Sequence, residues 1–383
     1  MGTRHVSTFW RHYQIVVCAG TGGVGKTTVA AAIALAAARA GKRTLAMTID
    51  PSRRLAYALG QHTIDNLEHP VAPEALREAG VELQAPLHVL VPDVRRTFDE
   101  LIERSPLAAA RKAQLLNNRI YQHFSSALAG SQEYAAIEKL YQVHQSGHYD
   151  LIVLDTPPSQ NAVDFLEAPG RVLDFLENET LQWLVKPASA TRFPRRTLGV
   201  GTAFFWRTLG SMTGGETLRE LADFILSFRE MYDGFRTRAA QVRSLLRSPQ
   251  LAFTLVTSPA ENQRHAMLHF YDELCAQGII PRAVMVNRVH PMPPWGVSTT
   301  DAITAATRLL EPLDPEVTFQ IIEAIKEEWL IAHHDSQALK ELEARVHPTE
   351  LVALPEQRQD VHDLVGLAPL QALFCADRGP TKS

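Results

Sequence analysis

The sequence predicts an α/β fold: a mostly parallel sheet covered by helices on both faces, plus an inserted helical subdomain. Three observations predict it. Short β-branched apolar runs recur along the chain, separated by helical stretches. The chemically distinctive residues sit at the C-terminal ends of those runs, where ligands bind in such sheets. Two long stretches flanking the fourth run carry no strand signal.

The elements follow in order. Gln14 to Ala19 (QIVVCA) is a run of buried-strand length, and a glycine-rich loop follows it. The alanine-rich KTTVAAAIALAAARAG is a helix, with Gly41 as its stop. KRTLAMTID is a second strand ending at Asp50, and PLHVLVPD (Pro86 to Asp93) a third. YDLIVLDTPPS is a fourth, with Asp155 at its C-terminal end; LAFTLVTSP, RAVMVNRV and ELVALP are three more. Short buried strands separated by helices imply parallel pairing with both faces covered. Thr97 to Gly147 and Asn161 to Ser248 are helical in character, the second broken by KPASATRFPRRTLGVG and GSMTGG. The expectation is one domain, residues 1–383. Its core is about 1–96, 148–160 and 249–383, with a helical subdomain of about 97–147 and 161–248.

Composition narrows the function classes. The chain has 383 residues, 45% of them apolar, enough for a sizeable core. A net charge of −4 gives no global attraction to nucleic acid or anionic membrane, and no nucleic-acid partner is expected. MGTRHVSTFWRHYQ has no apolar core of signal-peptide length. The longest near-apolar run, TVAAAIALAAARA, falls short of the roughly 18 residues of a membrane span. Cys18, Cys275 and Cys375 form neither a disulfide framework nor a C-x-x-C zinc pair. The expectation is a soluble, reduced, cytoplasmic protein with no zinc and no iron–sulfur cluster.

Gly20 to Thr27, GTGGVGKT, satisfies G-x-x-x-x-G-K-[ST] between a strand and a helix. Glycines let backbone N–H groups converge on phosphate oxygens, and the helix N-terminus adds partial positive charge. The binding set is Gly20, Thr21, Gly22, Gly23, Val24, Gly25, Lys26, Thr27 and Thr28. Lys26 would reach the β- and γ-phosphates of ATP, and the Thr27 hydroxyl would ligate Mg²⁺. Asp50, at the tip of the second strand, reads in two ways. It orients an attacking water, or it caps the helix that Asp-Pro-Ser begins. Asp155 follows four apolar residues at a strand end, the position of a magnesium-holding carboxylate. No second phosphate loop is present.

GGVGKTT resembles the deviant Walker A loop of the MinD/ParA/ArsA group. That pattern begins with a lysine one residue before GG, which reaches the phosphates of a partner subunit in a nucleotide-sandwich dimer. Here that position is Thr21. TIDPSRRL resembles the ArsA-type switch I, whose Asp positions water; this implies a catalytic role for Asp50. LIVLDTPPSQNAVDFL resembles the Walker B strand end and switch II. The resemblance implies that Asp155 holds Mg²⁺ through a water and that Thr156, Pro157 and Pro158 move. VMVNRV resembles the strand end whose Asn reads adenine, implying Asn287. ALPEQRQDVHDLVGL resembles the loop and helix that close over the base, implying Pro355. AGSQEY resembles a segment that precedes switch II, where Glu133 either couples the helical subdomain to the site or is simply solvated.

The resemblance to ArsA-type ATPases spans nearly the whole chain. The family includes the arsenite-pump ATPase and the targeting factor for tail-anchored membrane proteins. GSQEY, DTPPSQNAVDFLEAP and VNRVHP look most like its single-site bacterial, anion-transporting branch. The resemblance implies a Mg-dependent ATPase switch. With one phosphate loop per chain, it acts as a homodimer or a heterodimer with a paralogue. The metalloid-binding and zinc-clasp cysteines of relatives have no equivalents, nor do the cysteines of cluster-binding reductases. The alternative is a nucleotide-gated binding subunit paired with a lysine-bearing paralogue, with little hydrolysis of its own. A ParA/MinD-like positioning role is weaker, because FCADRGPTKS is no amphipathic anchor and no basic stripe is evident.

Leu218, Leu221, Ile225, Phe228, Tyr232, Phe235, Ala239, Val242 and Leu246 form one apolar stripe. With the upstream GTAFFW it reads as a groove for a hydrophobic client or membrane partner, or as packing inside the subdomain. Only Met212 and Met231 of the seven methionines fall in that stretch, unlike the methionine-rich groove of the tail-anchor factor. His265 and His269, at i and i+4 with no third ligand nearby, read as ordinary helix residues. Arg53 and Arg54, beside Asp50, either approach phosphate or a partner subunit, or are solvated.

Overall fold

The computed structural model describes residues 8–50, 52–62, 65–119, 121–122, 131–157, 166–171, 174, 223–224, 226–227, 230–292, 304, 307–308, 314–357 and 359–375. The strands are β1 (Ile15–Gly20), β2 (Thr44–Thr48), β3 (His69–Pro70), β4 (Leu87–Leu90), β5 (Leu151–Asp155), β6 (Leu251–Thr257), β7 (Ala283–Val289) and β8 (Glu350–Pro355). They form one sheet in the order β3-β4-β2-β5-β1-β6-β7-β8. All pairs are parallel except β3 with β4. β3 is the strand the sequence does not announce. It has two residues, one a proline, which a sheet tolerates at its edge because no amide donor is needed there.

The helices are α1 (Lys26–Arg39), α2 (Arg54–Ala58), α3 (Pro73–Glu78), α4 (Val94–Arg104), α5 (Ala109–Leu116) and α6 (Ser131–Ser146). Then come α7 (230–246), α8 (Glu261–Ala276), α9 (Pro315–Val346) and α10 (Leu364–Ala372). Alternation along β1 sends Ile15, Val17 and Ala19 to one face and Val16 and Cys18 to the other. The second face carries α1, whose residues from Ala30 to Ala38 are all buried. Alanine side chains let this helix lie close over the middle of the sheet, with α2 and α10 packed against it.

The first face is covered by α4 to α8 and the C-terminal half of α9. α6 buries Tyr134, Ile137 and Leu140 there. It also buries Glu138, whose Oε1 lies 2.7 Å from the Arg238 guanidinium of α7. That guanidinium stacks on Tyr141, 4.2 Å from the ring centroid. Part of the predicted apolar stripe is in α7. Ala239, Val242 and Leu246 are buried in the core and Phe235 packs on it, so this part of the stripe is packing, not a groove. Leu218, Leu221, Ile225, Phe228, Met212 and GTAFFW lie outside the described residues, as does Pro158. Among the described residues no helix is long and apolar enough to cross a membrane.

α9 has 32 residues, the longest element described. Its buried positions are Ala332, Asp335, Ala338, Leu342 and Val346, all beyond its midpoint. Asp335 tolerates burial because it accepts from the His290 amide at 2.8 Å and lies 2.9 Å from His290 Nδ1.

Candidate functional site

The glycine loop leaves β1 at Gly20 and enters α1 at Lys26. At Gly20 a Cβ would lie 2.2 Å from the Val256 carbonyl oxygen of β6, so no other residue fits. Gly25 has φ of 89°, the left-handed region that disfavours side chains. A Cβ there would lie 2.2 Å from Asn287 Nδ2. That amide donates to the Val24 carbonyl at 3.0 Å and so braces the loop from behind. Gly22 and Gly23 are exposed, while Val24 is buried beneath them.

Lys26 is only 6% exposed and donates to the Thr21 carbonyl at 2.7 Å. Burial pushes its pKa down, while Asp155 and Asp50 push it back up. β5 lies between β1 and β2, in a register that places Asp155 opposite both Cys18 and Thr48. Thr27 Oγ1 donates to Asp155 Oδ2 at 2.8 Å, and Thr48 Oγ1 to the same oxygen at 3.3 Å. Asp155 Oδ1 is buried without a partner. Burial pushes the carboxyl up to about 7, against the opposing Thr27 hydrogen bond and Lys26 charge. Thr156, the next residue, donates its hydroxyl to the Cys18 carbonyl at 3.0 Å, and Pro157 follows half-buried.

Asp50 lies just past β2. Its Oδ1 accepts from the Ser52 amide at 2.8 Å, which closes a turn; it does not cap the helix, since α2 begins at Arg54 with Arg53 at its N-cap. The residue also lines the cleft, so closing the turn and positioning water are compatible. Gln132, at the start of α6, donates to the Ile49 carbonyl at 3.2 Å, immediately before Asp50. The link from the helical layer to this segment is thus made by Gln132; its neighbour Glu133 is half-exposed.

These groups surround a cavity of about 570 Å³. It is lined by Gly23, Gly25, Lys26, Thr27 and Thr28 of the loop and α1, and by Asp50, Arg54 and Tyr57. Arg288, Asp360, Val361 and His362 line it as well. Asn287, buried, and Pro355, half-buried at the end of β8, are not among the lining residues. Arg288 is a site residue that sequence reasoning misses; Asp360, Val361 and His362 belong to the ALPEQRQDVHDLVGL segment, although Pro355, the residue implied there, is not in the lining. Arg288 has φ of 61° and sits where the β7–β8 register shifts, between Val286 and Val289. The bulge turns an otherwise inward strand position outward, so Arg288 is the one exposed residue of β7. Its signal in the sequence is a charge directly after Asn287 in a strand end.

Thr21 does not line this cavity. Its hydroxyl donates to Gln263 Oε1 on α8, beside a separate cavity of about 520 Å³. His265 and His269 also face that side; both are exposed and pair with Glu261 and Glu273 at 3.7 and 3.4 Å. Among the described residues no three His, Cys, Asp or Glu side chains form a metal cage. A magnesium site needs none, because Mg²⁺ takes one or two protein oxygens together with phosphate and water. The Thr27 hydroxyl and the orphaned Asp155 Oδ1 fit that chemistry. Beyond Pro355, Glu356 Oε2 lies 2.6 Å from His290 Nε2, fastening the last loop to the end of β7 and, through Asp335, to α9.

A parallel sheet whose central strand runs into a glycine loop, with a buried lysine and a threonine–carboxylate pair at its end, defines a P-loop NTPase. Residues 13–296 match the ArsA ATPase family, described as anion-transporting ATPase, and the chain belongs to that family. A relative in Aquifex aeolicus (strain VF5), assigned by name to the arsenical pump-driving ATPases, is 24% identical over 96% of this chain and 80% of its own. The protein SCO2128 of Streptomyces coelicolor is 32% identical over 73% of this chain and 63% of its own. The ATPase GET3 of Malassezia globosa is 26% identical over 40% of this chain and 42% of its own.

Proposed function

We propose that the chain is a Mg-dependent, ATP-hydrolysing switch that works as a dimer in the cytoplasm. The observation that carries the reading is Asp155. Its Oδ2 is tied to Thr27 and its Oδ1 is buried without a partner, beside Lys26 and Asp50. A carboxylate desolvated to this degree is poised to gain from a cation. Bound there by Thr27 and, through a water, by Asp155, magnesium would neutralise phosphate charge.

The chain's own residues do the remaining work. Loop amides from Gly20 to Thr28 cradle the phosphates. Lys26 exchanges the Thr21 carbonyl for the β- and γ-phosphate oxygens. Asp50 holds the attacking water and takes its proton. Asn287 keeps its loop-bracing bond and offers its amide oxygen to the adenine amino group, with Pro355 and the segment after it closing over the base. Because Gln132 holds the Ile49 carbonyl, movement at Asp50 pulls on α6. The helical subdomain of about 97–147 and 161–248 passes that movement to a hydrophobic client or membrane partner. The test is turnover beside oligomeric state. Asp50→Asn should abolish MgATP hydrolysis, retain ATP binding and accumulate an ATP-bound dimer. A variant that hydrolyses at the wild-type rate sinks the reading.

A second reading is a nucleotide-gated subunit of a heteromer with a lysine-bearing paralogue. Thr21 favours it, since its short hydroxyl is engaged by Gln263 of its own chain. An active, stable homodimer in isolation contradicts it.

A further inference from the structure

The charge balance of the cleft leaves a cation to be assigned. A nucleoside triphosphate brings several negative charges, and Asp50 and Asp360 in the lining and Asp155 beneath Thr27 add carboxylates. The loop supplies a single lysine, Lys26. Thr21 supplies no charge and its hydroxyl is turned to α8. Two arginines line the same cavity, Arg54 and Arg288. Arg288 follows Asn287, whose side chain lies against the loop at Val24 and Gly25. Arg54 follows closely on Asp50 in the chain, and both line the cavity together with Lys26 and Thr27.

Local structure separates Arg54 from its neighbour. Arg53 takes φ of 59° and closes the turn that Asp50 opens, its amide donating to the Asp50 carbonyl at 3.0 Å. Arg53 does not line the cavity. Arg54 is the first residue of α2 and does. It is exposed, and no carboxylate lies within ion-pair distance of it among the described residues. An unpaired guanidinium held on the segment that carries Asp50 can fork onto two phosphate oxygens at once. Its charge acts on Lys26, which lines the same cavity, and helps to lower the Lys26 pKa.

We infer that Arg54 is a catalytic residue whose guanidinium engages the terminal phosphate of ATP bound in its own subunit. This rests on the ATP-hydrolysis reading above. The water oxygen bonds to the γ-phosphorus as the bond to the β–γ bridging oxygen breaks. The water proton passes to Asp50, and the electron pair leaves with ADP. Negative charge builds on the bridging and γ-oxygens, where a guanidinium in contact stabilises it without reorganisation. The charge that Thr21 lacks is therefore supplied in cis.

The test uses the full chain with Arg54→Ala, Arg54→Lys and Arg53→Ala, measuring kcat for MgATP and Kd for ATP and ADP. Arg54→Ala should lower kcat about 100-fold, the lower end of what removing one preorganised donor to a developing negative charge costs. It should weaken ATP about 10-fold and leave ADP within about 2-fold, because ADP has no terminal phosphate to engage. Arg54→Lys should recover part of the loss, and Arg53→Ala should behave as wild type. Mixing Arg54→Ala with Asp50→Asn subunits should restore no activity. Restored activity would show that the arginine acts across the interface and overturn the cis assignment. Unchanged kcat and ATP affinity, or equal weakening of ATP and ADP, overturns the contact itself. The ATP-against-ADP comparison decides even if the wild type turns over slowly, so failure of the inference is distinguishable from failure of the hydrolysis reading.

Discussion

Gly25 and Asn287 are coupled through the hydrogen bond that Asn287 makes to the Val24 carbonyl. In Gly25→Ala the new Cβ meets Asn287 Nδ2 at 2.2 Å. The end of an Asn side chain can move, so it gives way and its 3.0 Å bond to the Val24 carbonyl is lost. Losing that bond costs about 1 kcal/mol, and a further 1 kcal/mol or so if the buried carbonyl finds no new partner. An alanine held at φ of 89° adds roughly 1–2 kcal/mol of left-handed strain. Gly25→Ala should therefore cost about 2–4 kcal/mol, and Asn287→Ala about 1–2 kcal/mol. Both changes lose the same bond. The double variant should cost about the same as Gly25→Ala alone, giving a coupling of about 1–2 kcal/mol. Urea denaturation of the four nucleotide-free proteins measures the cycle. Additive losses, or a Gly25→Ala cost below about 0.5 kcal/mol, would refute the bracing of the loop by Asn287.

Three further outcomes follow from the same structure. Asp155 is held at about 7 against an ordinary value of 3.8, so its ionised form is disfavoured in the folded protein. That penalty is absent below the unfolded value and complete above the folded one; the Tm advantage of Asp155→Asn without nucleotide should grow from about pH 5 to about pH 8. Arg238→Ala leaves Glu138 buried without an opposing charge, with only the Gln142 amide donating to it, and should cost roughly 3 kcal/mol by urea denaturation, with Glu138→Gln in addition recovering part of it. Thr21→Lys should change MgATP turnover far more than ATP affinity; equal effects on both would place this position among the simple binding groups.

Much of the site is legible in the sequence because its chemistry is local. Loop, lysine, threonine and strand-end carboxylates are fixed by a motif and by their position after buried strands. The sheet follows from the same apolar runs, and seven of its eight strands are announced by them. What stays hidden depends on the third dimension. His69 and Pro70 carry no strand signal; they become a strand by lying against Val89 and His88. Arg288 looks like an ordinary strand residue until a register shift turns it into the cleft. Asp335 interrupts an otherwise apolar helix face, and only its bonds to His290 explain its burial. Thr21 reads as a missing charge, whereas the structure adds what it does instead: it holds α8 through Gln263. The stripe ending at Leu246 shows the reverse case, since its periodicity is plain but only packing decides that Ala239, Val242 and Leu246 face the core.

The most direct measurement is phosphate release from MgATP by the purified chain, alongside ATP affinity, for wild type, Lys26→Ala and Asp50→Asn. The account predicts magnesium-dependent release by the wild type. Lys26→Ala should lose both affinity and release, and Asp50→Asn should lose release while still binding ATP. Wild-type protein that binds no ATP in the presence of magnesium, or release that survives both substitutions, would contradict it.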